Sequence, residues 1–149
     1  MTTANHALTA TLIALTIKEP VLVLPLALVS HFVLDMLPHY GLNDNSLSAK
    51  QKFDSHLRVE LISLIGIVAL LFTGAYGWNL ALLASIVSIL PDIEHPIRYI
   101  FYARLGKKPP KTITYTFHKK IQWLERKWGL YVEVGYFIIG YLILSKVVI

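Results

Sequence analysis

Three possible metal ligands lie within and at the end of one apolar run of this chain. His31, Asp35 and His39 follow at intervals of four in His-Phe-Val-Leu-Asp-Met-Leu-Pro-His. Side chains four residues apart lie on the same face of a helix. Leaving such groups unsatisfied among leucine and valine costs on the order of several kcal/mol, so they need a partner. A divalent cation is the simplest partner, and the spacing therefore predicts a metal site.

Other residues could complete this site. Asp92 is the strongest of them, because an acid after a long apolar run must be capped, paired or bound to a metal. His6 and His118 could also be ligands, although the first could open a helix and the second could be an ordinary loop histidine. The weaker candidates are His56, Glu60 and His95. His31 and Asp35 alone could form a hydrogen-bonded pair in a protein core, but His39 favours a metal.

The composition is typical of a membrane protein. The chain has 149 residues, of which 55% are hydrophobic and 15% charged, and its mean hydropathy is +0.57. This is too apolar for an ordinary soluble domain, so residues 1–149 are expected to form a single helical membrane domain. Because the chain has no cysteine, any metal must be held by nitrogen and oxygen atoms.

The apolar segments are long and rich in leucine and alanine, which favours helices over strands. They cover residues 6–17, 20–37, 59–75, 78–102 and 129–148. We expect an all-α membrane bundle of two antiparallel hairpins and a C-terminal helix, with about four or five membrane helices. The first segment is too short to span alone and could lie against the second. Pro91 and Pro96 should break the fourth segment close to the site.

Basic residues cluster between positions 103 and 128. This loop holds eight lysines and arginines against the single acid Glu125, which indicates the cytoplasmic side of the membrane. If the segments cross in order, all six histidines fall on that same side, where they could share one site. Anionic lipid headgroups are the expected partners of the loop, and nucleic acid is disfavoured because no aromatic residues are interleaved for base stacking.

These motifs carry a resemblance to a known family. His31-x-x-x-Asp35-x-x-x-His39, the early His6, Leu90-Pro91-Asp92 and Phe117-His118-Lys119-Lys120 resemble the YdjM-type (DUF457-like) inner-membrane family of metal-dependent hydrolases. More distantly, they are similar to zinc-dependent phospholipase C and P1 nuclease. The spacing from Asp35 to His39 is shorter than in that distant group.

The resemblance implies a metal-dependent hydrolase that cleaves a phosphoester, with a lipid or a lipid-linked phosphate as substrate. The metal ligands that it nominates are His6, His31, Asp35, His39, Asp92 and His118. The cofactor would be one or two divalent ions, most plausibly zinc, and Asp35 or Asp92 would accept the proton of an activated water. The alternative is a non-enzymatic membrane protein in which the same cluster is a structural metal site or a buried polar network. A metal carrier is disfavoured, because the third and fifth segments have no ionisable residue along their middles.

Overall fold

The protein is all-helical, as expected from its apolar periodicity. The computed structural model describes residues 1–42, 49–71, 79–103, 105–107 and 112–148. The helices are α1 (Thr3–Ile17), α2 (Pro20–Asp35), α3 (Ala49–Leu71), α4 (Asn79–Ile89), α5 (Glu94–Ala103), α6 (Ile113–Ile121) and α7 (Gly129–Val148). A short 3-10 turn, Leu90–Ile93, joins α4 to α5. The ends of the predicted third and fourth segments, at 72–75 and 78, lie outside the described residues, as do Arg104, Lys108 and Lys111 of the basic loop.

The first two helices form a tight antiparallel hairpin. Lys18 ends α1 in the left-handed region, at φ 64°, and its N–H donates to the carbonyl of Ala14 at 3.1 Å. Pro20 then opens α2, where its missing N–H is tolerated. The hairpin brings the start of α1 beside the end of α2. His6 therefore lies at the same end of the bundle as Asp35.

Small side chains allow α1, α2 and α4 to approach closely. A buried cluster at their interface is built mainly of alanines, namely Ala10, Ala14, Ala27, Ala81 and Ala84, together with Val23. A second buried cluster joins α1 to α3 and α7 through Leu8, Leu70 and Leu144. Small residues let helix backbones come together and gain dispersion contacts. As a result α1 is the central helix of the bundle.

The fourth segment breaks where its prolines predict. Pro91 sits in the 3-10 turn, and Pro96 lies in the first turn of α5, where no helical hydrogen bond is lost. Helix α6 falls within the basic loop, which we expected to be a connector. Its N-cap is Thr112, whose hydroxyl accepts from the N–H of Tyr115 at 3.1 Å. The α6 helix thus places His118 on an ordered element.

A two-residue parallel bridge lies beside the histidine-rich end. Strand β1 (His39–Tyr40) pairs with β2 (Glu125–Arg126), with His39 opposite Glu125. Helix α7 begins directly behind this bridge, at Gly129. A Cβ atom added to Gly129 would lie 2.1 Å from the His39 carbonyl carbon, so only glycine fits this close approach.

Fewer helices are suited to spanning a membrane than the sequence suggested. Within the described residues, two stretches are long and apolar enough, Asn79–Arg98 and Gly129–Val148, instead of the expected four or five. Helices α1 and α2 are apolar but have only 15 and 16 residues. Helix α3 is long, but it begins at Ala49, ten residues before the apolar segment, and so contains charged and polar residues in its first turns.

Candidate metal centre

Three elements deliver polar side chains to one end of the bundle. His31 and Asp35 come from the last turns of α2, Asp92 from the 3-10 turn and His118 from α6. Ligand atoms of these four residues all lie within 4.8 Å of one another. We call these four residues the metal group. His31, Asp35 and His118 are buried, whereas the Asp92 side chain keeps 22% of its surface exposed.

The metal group centres on one oxygen of Asp35. The Oδ2 atom of Asp35 lies 3.4 Å from Nε2 of His31 and 3.2 Å from Nε2 of His118. The two Nε2 atoms are 2.8 Å apart. On the other side, Oδ1 of Asp92 lies 3.7 Å from His31 Nε2 and 4.0 Å from His118 Nε2. Two nitrogens and two oxygens therefore surround a common point.

His6 extends this arrangement towards α1. Its ring stacks on the ring of His31, with centroids 4.1 Å apart and planes inclined by 24°. Its Nε2 atom lies 3.3 Å from Asp35 Oδ1 and 3.8 Å from Asp92 Oδ2. Each carboxylate thus turns one oxygen to His6 and the other to the pair of His31 and His118.

The residues present fit a divalent cation. His6 is fully buried, yet neither ring nitrogen has a hydrogen-bond partner, and Nδ1 of His31 has none either. Buried polar atoms normally have partners, so these exceptions require an explanation. Zinc bonds of about 2.0 to 2.1 Å in tetrahedral geometry place neighbouring ligand atoms about 3.3 Å apart. This is close to the 3.4 and 3.2 Å that separate Asp35 Oδ2 from Nε2 of His31 and of His118, whereas the two Nε2 atoms are at the shorter distance of a hydrogen bond, 2.8 Å. The donor set of imidazole and carboxylate also suits zinc or manganese.

Asp35 has further partners that hold its carboxylate in place. The Nε2 amide of Gln122 donates to Asp35 Oδ2 at 3.2 Å, and the amine of Met1 donates to Asp35 Oδ1 at 2.5 Å. Burial opposes a charge on this amine, but the negative charges of Asp35, Asp92 and Glu133 outweigh it and raise its pKa. The carboxylate is therefore held in one orientation by one bond at each oxygen, from Met1 and from Gln122 at the end of α6.

His39 lies beside the metal group but faces a different partner. Its Nδ1 lies 2.8 Å from the carbonyl oxygen of Leu37, which can only accept, so Nδ1 carries the proton of that bond. Its Nε2 atom is buried without a hydrogen-bond partner and lies 3.8 Å from Oε1 of Glu125. The structure thus brings His6, His31, Asp35, Asp92 and His118 together and directs the His39 side chain to Glu125.

Two titratable groups near His39 have shifted pKa values. Burial would raise the pKa of Glu125, but its interactions with His39 and His56 outweigh that effect and lower it. Burial lowers the pKa of His56, against the attraction of Glu125. The ring of His56 packs edge-on against that of Tyr40, with centroids 5.7 Å apart. This side of the site therefore favours an ionised carboxylate and a neutral imidazole.

A cavity of about 710 Å³ opens next to the metal group. Its polar lining includes Asp92, His95, His39, His56 and Glu60. The weaker candidate ligands His56, Glu60 and His95 therefore also face this space. Most of the remaining wall is apolar. It includes Phe53, Leu57, Leu61, Leu64, Ile89 and Ile93.

Glu133 on α7 was not among the predicted site residues. This α7 carboxylate is buried and accepts the N–H of Thr2 at 2.8 Å and the N–H of Tyr40 at 2.7 Å. It therefore ties the start of α1 and strand β1 to α7. The available signal was the acid itself, within an otherwise apolar segment, since such residues are paired when buried.

Comparisons with known proteins add no relative. No protein-family model, curated protein or solved structure matches this chain. The resemblance to YdjM-type proteins therefore stays a prediction from the motifs quoted above.

Proposed function

We propose that this protein is a membrane hydrolase that uses a divalent cation, most plausibly zinc, to cleave a phosphoester. The observation that carries the proposal is the metal group, in which two imidazole nitrogens and two carboxylate oxygens surround one point at a cavity wall. A structural pair would need only one imidazole and one carboxylate. The resemblance to YdjM-type hydrolases supports the same activity.

The residues of the metal group have separate roles in this proposal. His31, His118 and Asp35 are buried and hold the cation, with Gln122 keeping the Asp35 carboxylate oriented. Asp92 is the carboxylate that is partly exposed and faces the cavity, so it accepts the proton of the attacking water. When bound, the cation supplies Lewis acidity and makes that water easier to deprotonate.

The proposal includes one or two ions. His31, His118 and Asp35 would hold the first ion. His6 faces the other oxygen of each carboxylate, at 3.3 and 3.8 Å. If a second ion binds, His6 would be among the residues that hold it.

The substrate that suits this cavity is a lipid or a lipid-linked phosphate. The cavity joins the polar metal group to a wall of leucine, isoleucine and phenylalanine from α3 and the end of α4. An apolar wall beside polar groups is typical of a site for an amphiphilic ligand. The phosphate would lie at Asp92 and the hydrocarbon against Leu57, Leu61 and Leu64.

A membrane location supports this substrate. Helices α2, α3 and α7 expose many large apolar side chains, among them Val21, Ile65 and Ile139. Apolar surface on this scale marks contact with lipid or protein. We propose the inner membrane, with the site at the cytoplasmic side and the basic residues of 103–128 near anionic headgroups.

A structural role is the second candidate, and two hydrogen bonds favour it. Asp35 already accepts hydrogen bonds from Met1 and Gln122, so the carboxylate is satisfied in part without a cation. In that case the cluster would be a structural metal site or a polar network that fixes helix packing. A structural metal raises thermal stability without supporting turnover.

The test combines elemental analysis with turnover of bis(p-nitrophenyl) phosphate by purified protein. We expect the protein to retain zinc, to lose activity on chelation and to regain it with zinc or manganese. Asp92→Asn should keep at least one ion and lose about 10²- to 10⁴-fold in turnover. Glu19→Gln, at the exposed far turn, is the control and should behave as wild type.

Two results would contradict the hydrolase. One is the absence of bound zinc or manganese. The other is equal turnover by His31→Ala and wild type. If chelation lowers the melting temperature while no phosphoester is cleaved, the structural alternative is correct.

A further inference from the structure

An arginine and a tyrosine lie one helical turn from His95 and from His118, on two different helices. Arg98 follows His95 by three residues on α5, and Tyr115 precedes His118 by three residues on α6. Residues three apart share a helix face. The rings of His95 and His118 are 5.7 Å apart, and the Arg98 guanidinium carbon lies 3.5 Å from the centre of the Tyr115 ring. Two neighbouring pairs therefore run side by side along the cavity, which both Arg98 and Tyr115 line.

The guanidinium group is held in a fixed position. Its Nη1 atom lies 3.3 Å from Oε1 of Glu94, and the same oxygen accepts a short hydrogen bond from the hydroxyl of Thr112. Only 16% of the Arg98 side-chain surface is exposed. Stacking on an aromatic ring and pairing with a carboxylate both reduce the side-chain motion that a bound ligand would otherwise have to restrict.

This placement suits recognition of an oxyanion. Guanidinium has five N–H donors in a planar fork that matches phosphate oxygens. Arg98 and Asp92 line the same cavity, so a phosphate group bound beside Asp92 would share that space with the guanidinium group. The apolar wall from α3 lies in the same cavity.

We propose that Arg98, stacked on Tyr115, binds the anionic oxygens of the phosphate group whose ester is cleaved. This inference rests on the proposed function for its substrate. It adds the residue that determines specificity for phosphate over uncharged esters. Arg98 is a binding residue here and takes no part in proton transfer.

Binding of inorganic phosphate to the zinc-loaded protein, measured by calorimetry, tests this role without turnover. Arg98→Gln should weaken phosphate binding at least tenfold while zinc content stays at the wild-type value. Arg98→Lys should fall between the two, because lysine keeps the charge but loses the planar fork. Tyr115→Leu removes the stacking surface and should weaken binding about threefold.

Arg58→Gln is the matched control, since Arg58 is an exposed arginine outside the cavity lining. It should bind phosphate as wild type does. A second probe, hexyl phosphate, distinguishes a free phosphate site from one for a lipid phosphate. We expect hexyl phosphate to bind more tightly than inorganic phosphate, with the same loss in Arg98→Gln, because its alkyl chain reaches the apolar wall.

The outcomes separate this inference from the hydrolase itself. If purified wild-type protein contains no zinc, or cleaves no phosphoester at all, the hydrolase is refuted. Normal zinc and turnover together with unchanged phosphate affinity in Arg98→Gln would refute the role of Arg98 alone. If Arg98→Gln folds poorly, as judged by circular dichroism, Arg98→Lys carries the test, and wild-type affinity in that variant would contradict the fork geometry.

Discussion

Asp35 and Glu133 are two buried carboxylates that lie near each other in the bundle but are satisfied in different ways. Glu133 accepts two backbone N–H groups, one at each oxygen. Asp35 accepts the Met1 amine and the Gln122 amide, and it also faces three imidazoles, of which His6 has no hydrogen-bond partner at either nitrogen. Because both oxygens of Glu133 accept backbone N–H groups, this carboxylate is held in place and has no oxygen left for a ligand. Asp35 instead lies among imidazole nitrogens, whose lone pairs can bind a cation.

The comparison shows that burial alone does not identify a functional acid. Both side chains are almost fully enclosed. Their partners separate them, since backbone N–H groups indicate a structural role and converging imidazoles indicate a binding role. The same isosteric change, carboxylate to amide, can therefore be made at both positions with different expected results.

The largest effect is expected for Asp35→Asn. It removes the charge on which His31 and His118 converge and leaves neighbouring donors around an uncharged amide. Zinc affinity should fall by at least about 100-fold, more than for typical loss of an outer-shell partner. Competition with a metal indicator measures this value. Wild-type affinity in Asp35→Asn would contradict the metal centre as described.

Removing the metal from wild type should have the next largest effect. A ligand present at about a thousand times its dissociation constant stabilises the native state by about 4 kcal/mol. A chelator should therefore lower the melting temperature of wild type, and lower that of Asp35→Asn by much less, because the variant binds the metal more weakly. An equal decrease in both would mean that the chelator acts elsewhere.

Glu133→Gln should have a smaller effect and of a different kind. The amide keeps one acceptor but turns an NH₂ group towards the N–H of either Thr2 or Tyr40, which loses its partner. An unsatisfied buried donor costs about 1 to 3 kcal/mol, to be measured by denaturant unfolding. Zinc content should not change. Loss of zinc in this variant would show that the two carboxylates are not separate in function.

The smallest effect is a pH dependence from His56, measured with chelator present. Burial lowers the pKa of this histidine in the folded state, while the unfolded value is about 6.5. As the pH falls through that value, the unfolded chain binds a proton that the folded protein does not yet bind, so stability decreases. His56→Gln should lose less stability than wild type between pH 7.5 and 5.5. Equal losses would contradict the shift.

Periodicity and proline positions predicted much of the frame that carries the metal group. The hairpin of α1 and α2 follows from two apolar runs separated by Lys18 and Glu19, and it brings His6 to the residues four apart on α2. The break at Leu90-Pro91 likewise follows from proline chemistry. These are local signals, and they were sufficient to place four of the five clustered residues on helices or helix ends.

Pairings between distant parts of the chain could not be predicted in the same way. Thr2 and Glu133 are 131 residues apart, and no local pattern encodes their bond. The bridge of His39 with Glu125 depends on two strands of two residues each, too short to leave a periodic signal. The number of membrane helices was overestimated because apolar composition does not fix helix length, and α1 and α2 end after 15 and 16 residues.

The alanines between α1, α2 and α4 have a consequence for ion selectivity. They lie at Ala10, Ala14, Ala27, Ala81 and Ala84 and set the separation of the helix axes. The separation of the axes in turn sets how far the His6 imidazole stands from that of His31. If the proposed cation binds there, a bulkier residue at Ala10 or Ala27 is expected to widen this gap and to favour ions of larger radius, with every side chain of the metal group unchanged.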